Sequence, residues 1–325
     1  MFPNRGRRML QALVALLVVA LALGFLGRWS QPLDALSHFR AHLALLLLLL
    51  SALSLLVGQW AGGAIGAVAA CAALASVAPY VIPMRGAAED GTPTYTLLQM
   101  NLLWNAGDRT EALRRIAELR PDIITLQELT AEWRATLEPL RATYPYQAVC
   151  LEADGFHGDS AILSRRPFVE GSKPLCDVGD SLAAARVDLN GVVVTIASHH
   201  QLWPWPRGQW RRLDSARDTL AALPAPLLLT GDFNAVGWSA FLGAYAEATG
   251  TRVVRGIGPT WILEGVPTEI ARVAGLGIDN LLASPAITIR SVERPAATAS
   301  DHLPVLVRFS VAPPPAAPAT SVAAR

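Results

Sequence analysis

Leu227-Leu228-Leu229-Thr230-Gly231-Asp232-Phe233-Asn234 is a short apolar run that stops on a glycine and then presents a carboxylate and an amide. A run of this length, bounded by glycine, reads as a buried strand. The same arrangement recurs along the chain. Residues 94–101 read as a strand ending on Asn101, residues 123–126 run into Gln127-Glu128, and residues 192–198 run into His199-His200. Gly277-Ile278-Asp279 opens a strand over 278–283, and Ser300-Asp301-His302-Leu303-Pro304 precedes another over 305–311. Taken singly, each polar station also fits a solvated strand end or an Asx turn. Taken in this order, they point to one site.

Working outward, helices fall between the strands. Asp108 and Glu111 have capping-box spacing, and Ala112, Leu113, Ile116 and Leu119 form an apolar face that stops at Pro121. Further helices are predicted over 132–140, 208–223 and 238–247, and further strands over 160–164 and 288–293. Asn190-Gly191 between 184–189 and 192–198 is a two-residue hairpin signal. Interleaved helices plus hairpins predict an α+β class with mixed or antiparallel sheets.

The stations carry a common chemistry. Asn101, Glu128, Asp232, Asn234, Asp279 and Asp301 supply carboxylate and amide oxygens, the ligands that hard cations such as Mg²⁺ prefer. His200 and His302 join them, while the cysteines lie elsewhere, which disfavours structural zinc. Two histidines with carboxylates suit acid–base handling of water and of a leaving oxygen.

On these residues the chain resembles the endonuclease/exonuclease/phosphatase superfamily, which includes deoxyribonuclease I and the neutral sphingomyelinases. The matching segments are Leu98-Gln99-Met100-Asn101, Leu126-Gln127-Glu128, Ala161-Ile162-Leu163-Ser164-Arg165, Gly231-Asp232-Phe233-Asn234-Ala235, Gly277-Ile278-Asp279 and Ser300-Asp301-His302-Leu303-Pro304. The resemblance covers about residues 94–311. It implies a four-layer α/β/β/α sandwich and a divalent-metal-dependent phosphoester hydrolase working with Mg²⁺, or Mn²⁺ in its place. It implies Glu128 as the main metal carboxylate, with Asn101 and Asp301 close to the metal. Asp232 would position the attacking water, Asn234 would hold a phosphate oxygen, and Asp279 would orient His302 as base or phosphate ligand. His200 would stabilise the phosphoryl or leaving oxygen. Ser198-His199-His200 offers two histidines where the family has one; the family's histidine stands four residues before a proline, which favours His200 with His199 as the alternative, and strand alternation allows only one to face the site. Asp159 is a candidate to orient that histidine.

The N-terminal quarter reads differently. Residues 9–27, 41–58 and 61–82 are apolar runs of spanning length, with Trp29, Trp60 and Tyr80 at their ends. They predict a membrane anchor over 1–84, a linker over 85–93, the catalytic domain over 94–311 and a disordered Pro/Ala-rich tail over 312–325. Gly62-x-x-x-Gly66 would permit close helix packing. Arg5, Arg7 and Arg8 precede the first run, which places the N-terminus in the cytoplasm of a bacterial cell and the catalytic domain beyond its inner membrane. An oxidising compartment would let Cys150 and Cys176 pair; two buried free thiols are the alternative.

The chain has 27 basic and 26 acidic residues; residues 1–84 hold five arginines and one aspartate, leaving the rest at −3 with Lys173 as its one lysine. Such a domain lacks the basic footprint of a stable duplex-DNA partner. The expected partners are the bilayer and a phosphoester substrate, whether lipid headgroup, nucleotide or nucleic acid. An extracytoplasmic nuclease and a catalytically inactive binding domain are the rival readings. Trp203, Trp205, Trp210, Trp238 and Trp261 are predicted to ring the site and to stack on substrate, enter the bilayer interface or pack the loops.

Overall fold

The structure is a computed structural model and describes residues 4–83, 86, 91–150, 159–263 and 265–312. The predicted disorder of the tail lies outside these residues.

Two six-stranded sheets form the body. The first has strand order β11-β12-β1-β2-β4-β3, with β1 Tyr95–Asn101, β2 Ile123–Leu129, β3 Tyr146–Val149, β4 Asp159–Ser164, β11 Ile287–Glu293 and β12 Val305–Val311. The second has order β5-β6-β7-β8-β10-β9, with β5 Leu175–Asp177, β6 Leu182–Leu189, β7 Val192–His200, β8 Leu227–Asp232, β9 Arg252–Val253 and β10 Asp279–Ala283. Successive residues of a strand point to opposite faces. Leu97, Ile123, Ile196, Leu228 and Leu281 therefore fill the space between the sheets. Their neighbours Leu98 and Ile124 pack outward on helices α5 (Thr110–Leu119) and α6 (Ala131–Leu137). Leu229 and Leu282 pack outward on α7 (Gln209–Ala221) and α8 (Ala240–Thr249). The result is the four-layer α/β/β/α sandwich.

Each sheet is mixed. Its centre is a parallel pair, β1 with β2 and β7 with β8, and its other pairs are antiparallel. The parallel pairs end on the same edge of the body. The antiparallel β10 and β12 begin there, with Asp279 opposite Asp232 and Val305 opposite Gln99. This topology carries six stations to one end. Cys150 and Cys176 form a disulfide with Cα atoms 5.4 Å apart, stapling the β3 edge of one sheet to the β5 edge of the other.

Some sequence expectations shift locally. The Asp108–Glu111 box does not form: α5 starts at Thr110, and Asp108 Oδ1 instead accepts from the backbone N–H and hydroxyl of Thr110. Helix α8 starts at Ala240, because Ser239 is the residue whose hydroxyl accepts from Leu242 N.

The N-terminal segment folds as α1 (Asn4–Leu23), α2 (Gln31–Ser37), α3 (Arg40–Leu56) and α4 (Trp60–Val81). Helices α1 and α4 are long and apolar enough to cross a membrane; α2 and α3, bent by 64°, add a third when taken as one span. Gly62 faces open space; Gly63 and Gly66 make the close packing, where a Cβ would lie 2.7 Å from Leu55 and 2.2 Å from Ser51.

This segment is fastened to the sandwich. Asp34 Oδ1 and Oδ2 accept from the N–H groups of Ala240 (2.7 Å) and Phe241 (3.1 Å), a carboxylate at the positive end of α8. Trp238 Nε1 donates to Ser37 O. The carbonyls of Pro79 and Tyr80, orphaned at the end of α4, accept from Gly256 N and Gly258 N. Asp34→Ala removes two charge-assisted bonds and is expected to cost the full chain about 2 kcal/mol; Asp34→Asn should recover part of it. Thermal unfolding in detergent checks this, and an unchanged midpoint in the alanine variant would contradict it.

Candidate active site

The strand ends bring Asn101, Glu128, His200, Asp232 and Asp279 together, and the loops add Asn234, Asp301 and His302. Asn101 is buried at the end of β1, and its Nδ2 donates to Glu128 Oε1 (2.9 Å) and Asp232 Oδ2 (3.0 Å). It thereby links the two sheets. Glu128 lies where the register of β2 against β4 slips between Leu126 and Leu129, with φ of 57°. Such a bulge re-aims a side chain at a strand end, and a non-glycine residue in this conformation carries local strain. Its Oε2 accepts from Trp104 N at 2.9 Å.

Gly231 is required by the close approach of β7: a Cβ there would lie 1.8 Å from His199 O. The turn after Asp232 is held by Asn234, whose N–H donates to Asp232 Oδ1 (2.8 Å) and whose Nδ2 donates to Gln201 O (2.9 Å). Burial pushes the Asp232 carboxyl up to about 6, even with His302 beside it.

His302 Nδ1 lies 2.7 Å from Asp279 Oδ2, and its Nε2 faces Asp232 Oδ2 at 3.7 Å. Burial works against a charged imidazole, but Asp279 and Asp232 outweigh it and raise the ring to about 10. Asp279 is itself oriented, since its Oδ1 accepts from Gln99 Nε2 at 2.8 Å. Gln99 also donates to Gln127 Oε1, and Gln127 Nε2 donates to Ser198 Oγ across the sandwich. This buried polar layer beneath the site was not assigned a role from sequence. The signal was there: a glutamine interrupts each apolar run, at Leu98-Gln99-Met100 and Leu126-Gln127-Glu128. A buried amide needs partners, so two facing glutamines imply a network. Ser300 is a second such residue: its hydroxyl donates to Asn101 O and accepts from His302 N, joining the Ser-Asp-His turn to β1.

The two adjacent histidines separate as alternation requires. His200 Nε2 faces Asp232 Oδ2 (3.7 Å) and Glu128 Oε1 (3.9 Å). His199 points into the opposite layer, fully buried, with Nδ1 against the Tyr245 hydroxyl and Nε2 accepting from Gln201 Nε2 at 3.0 Å. Burial lowers its pKa to about 3, so it stays neutral in the fold. His200→Ala is expected to lower turnover about a hundredfold with little change in stability. His199→Ala should do the reverse, costing about 2 kcal/mol or more through a cavity and the loss of its buried bonds to Tyr245 and Gln201. Parallel kinetics and thermal melts distinguish them; loss of turnover with unchanged stability in His199→Ala would reverse the assignment. The side chain of Asp159 lies outside the described residues.

The tryptophans divide. Trp210 packs edge-on to Phe241, and Trp238 lies against Tyr80 of the N-terminal segment. Trp261 donates to Asp301 Oδ2 at 3.1 Å and stacks edge-on with Trp203, 6.0 Å between centroids. Trp104, over Glu128, joins the rim unannounced by sequence, half-exposed.

A divalent cation fits this donor set. Glu128, His200 and Asp232 each offer a ligand atom, all within 4.8 Å of one another. Asp301 Oδ1 is buried without a hydrogen-bond partner. The carboxylates of Glu128, Asp232, Asp279 and Asp301 outnumber the two histidines facing them, which calls for further positive charge, and oxygen donors suit a hard ion. Asp279 and His302 also approach Asp232 closely, but they are already committed to each other.

A profile of the Endonuclease/Exonuclease/phosphatase family matches residues 98–302. No curated protein matches the chain. Among solved structures, Danio rerio TDP2 with a single-strand DNA product is 19% identical, covers 67% of this chain and 99% of its own, and superposes with a TM-score of 0.53. An endonuclease/exonuclease/phosphatase from Beutenbergia cavernae is 21% identical, covering 67% of this chain and 72% of its own, with a TM-score of 0.51. The human Nocturnin catalytic domain is 19% identical, covering 68% and 96%, with a TM-score of 0.50. At these identities the likeness concerns the fold, and membership rests on the profile, which spans every polar station described above: the chain belongs to the Endonuclease/Exonuclease/phosphatase family.

Proposed function

We propose that the protein is a membrane-anchored phosphoester hydrolase that requires Mg²⁺ or Mn²⁺. The observation that carries this reading is the convergence of Glu128, Asp232, His200 and the Asp279–His302 pair on one strand-end site. Glu128, with Asn101 beside it and Asp301 from the loop, would hold the cation, which would supply charge stabilisation at a phosphoryl oxygen. Asp232, raised toward neutral pH and aligned by Asn234 N–H, takes a proton from the attacking water. The water oxygen forms the new bond to phosphorus as the ester P–O bond breaks in line, and the departing alcohol takes a proton. His302, held as a cation by Asp279, donates from Nε2 to a phosphoryl oxygen. His200, the more exposed ring, stands where it can serve the leaving oxygen. The apolar helices carry the membrane part of the reading. With α1 and α4 crossing and α2–α3 returning between them, Gln59 Nε2 meets Arg7 O at one end of the bundle. The α1–α2 turn and the catalytic domain then share the other side. The basic N-terminus assigns the first end to the cytoplasm.

The test is a phosphoester panel on the full chain in detergent, because Asp34, Ser37, Pro79 and Tyr80 hold the sandwich. Chelation is expected to abolish turnover and added Mg²⁺ or Mn²⁺ to restore it, with His302→Ala inactive. Hydrolysis that survives chelation, or none of any ester with either metal bound, would sink the reading.

A further inference from the structure

The chain between Trp261 and Leu276 leaves the active site and returns to it. At its base Trp261 bridges both Leu276 and His302, and Ile262 N donates to Asp301 O at 2.7 Å. Its far part is α9, Thr268–Ala274. Ala274 O accepts from His42 Nε2 at 2.7 Å, and His42 lies in the first turn of α3. The loop therefore reaches from the catalytic centre to the mouth of the apolar helix bundle. Arg272 ties the inner side of α9 to Arg294 O and Pro295 O. That leaves Ile270 (56% exposed) and Val273 (81%) of α9 uncovered, with Leu263 (53%) before the helix and the exposed Glu269 at its first turn. Ile270 and Val273, three apart, share one helix face. Phe25, Trp29 and Phe39, also exposed, mark the same end of the bundle, as interfacial aromatics do. Trp203, exposed beside Trp261, extends the apolar rim to the site.

An uncovered apolar face continuous with membrane-spanning helices is matched by a bilayer surface. We infer that Leu263, Ile270 and Val273 enter the headgroup boundary of the leaflet in which α3 begins and α4 ends, so that the site opens against that leaflet and its substrate is a phosphoester in the headgroup of a membrane lipid. This rests on the hydrolase reading above. Water adds across the ester bond, its oxygen to phosphorus and a proton to the departing alcohol; the lipid part stays in the leaflet. A soluble diester reaches the same centre without needing the loop.

The experiment uses the full chain in vesicles of phosphatidylcholine, phosphatidylglycerol and sphingomyelin. In a Cys71→Ala background, Val273→Cys carries an environment-sensitive fluorophore. Blue-shifted emission, quenched by a lipid with a nitroxide near its headgroup, is expected; water-like emission overturns the membrane contact. In parallel, phosphate-containing product released from the vesicles is compared with hydrolysis of bis(p-nitrophenyl) phosphate. Ile270→Asp/Val273→Asp is expected to lower lipid turnover roughly tenfold or more, with turnover of the soluble diester within about twofold of the parent. Equal turnover of lipid by parent and variant, equal loss on both substrates, or hydrolysis of the soluble diester with no product from these vesicles each overturns the inference and leaves the hydrolase reading standing. Hydrolysis of neither substrate with metal present counts against the hydrolase reading itself.

Discussion

Glu128→Gln is expected to lower turnover about a thousandfold, because it removes the carboxylate through which the cation would stabilise developing charge. The change is nearly isosteric. Glutamine keeps one oxygen, so it can still accept from Asn101 Nδ2 or from Trp104 N but not from both as Glu128 does. One lost hydrogen bond costs about 1 kcal/mol, and relief of unpaired negative charge offsets part of that. Activity and stability should therefore separate: turnover collapses while the melting temperature hardly moves. Calorimetric titration with Mg²⁺ should show weakened binding in parallel. Activity within about tenfold of the parent, with an unchanged metal requirement, would remove Glu128 from the metal-holding role.

His302→Ala is expected to cost a comparable factor, about a thousandfold, by removing the donor aimed at the substrate. Here stability should change as well. The ring is raised from 6.5 to about 10 in the folded, metal-free protein, with burial opposing the shift and Asp279 and Asp232 driving it. A group bound more tightly to its proton in the folded state stabilises the fold. That contribution is fully present below about pH 6.5 and is lost as pH rises through 10. In chelator, the parent should lose stability between these values, and His302→Ala should be flatter across the same window. The alanine variant should also be less stable at pH 6 by a few kcal/mol, since Asp279 and Asp232 remain buried without their cation. Asp279→Asn should lower the apparent pKa of His302 and weaken activity less than loss of the ring. Identical pH–stability curves for parent and His302→Ala would show that the Asp279–His302 pair does not hold a proton as described.

Much of this site was legible in the chain because its members are local to strand ends. A hydrophobic run bounded by a polar residue announces where a buried strand meets the surface: Asn101, Glu128 and Asp232 stand where such runs stop, and Asp279 where one begins. The hairpin at Asn190-Gly191 was legible for the same reason: its two positive φ values, 58° and 90°, belong to residues that adopt them readily. Helix starts were less legible. The Asp108 side chain met the nearer Thr110 rather than forming a box with Glu111, because short-range side-chain bonds compete on equal terms with capping.

The sequence by itself determined the α+β class, the apolar character of the N-terminal helices and the set of polar stations at strand ends, since periodicity and composition act over a few residues; the sandwich followed from the family resemblance. Only the tertiary structure decided which side of β7 faces the site, and so that His200 and not His199 meets Glu128 and Asp232. It alone joined Gln99 to Asp279, set Asp34 of the N-terminal segment on α8, and carried the loop from Trp261 to His42. Each of these is a bond between groups far apart in the chain. Such partners are chosen by how the two sheets and the helical bundle pack, because a buried polar group accepts whichever partner the packing brings within reach.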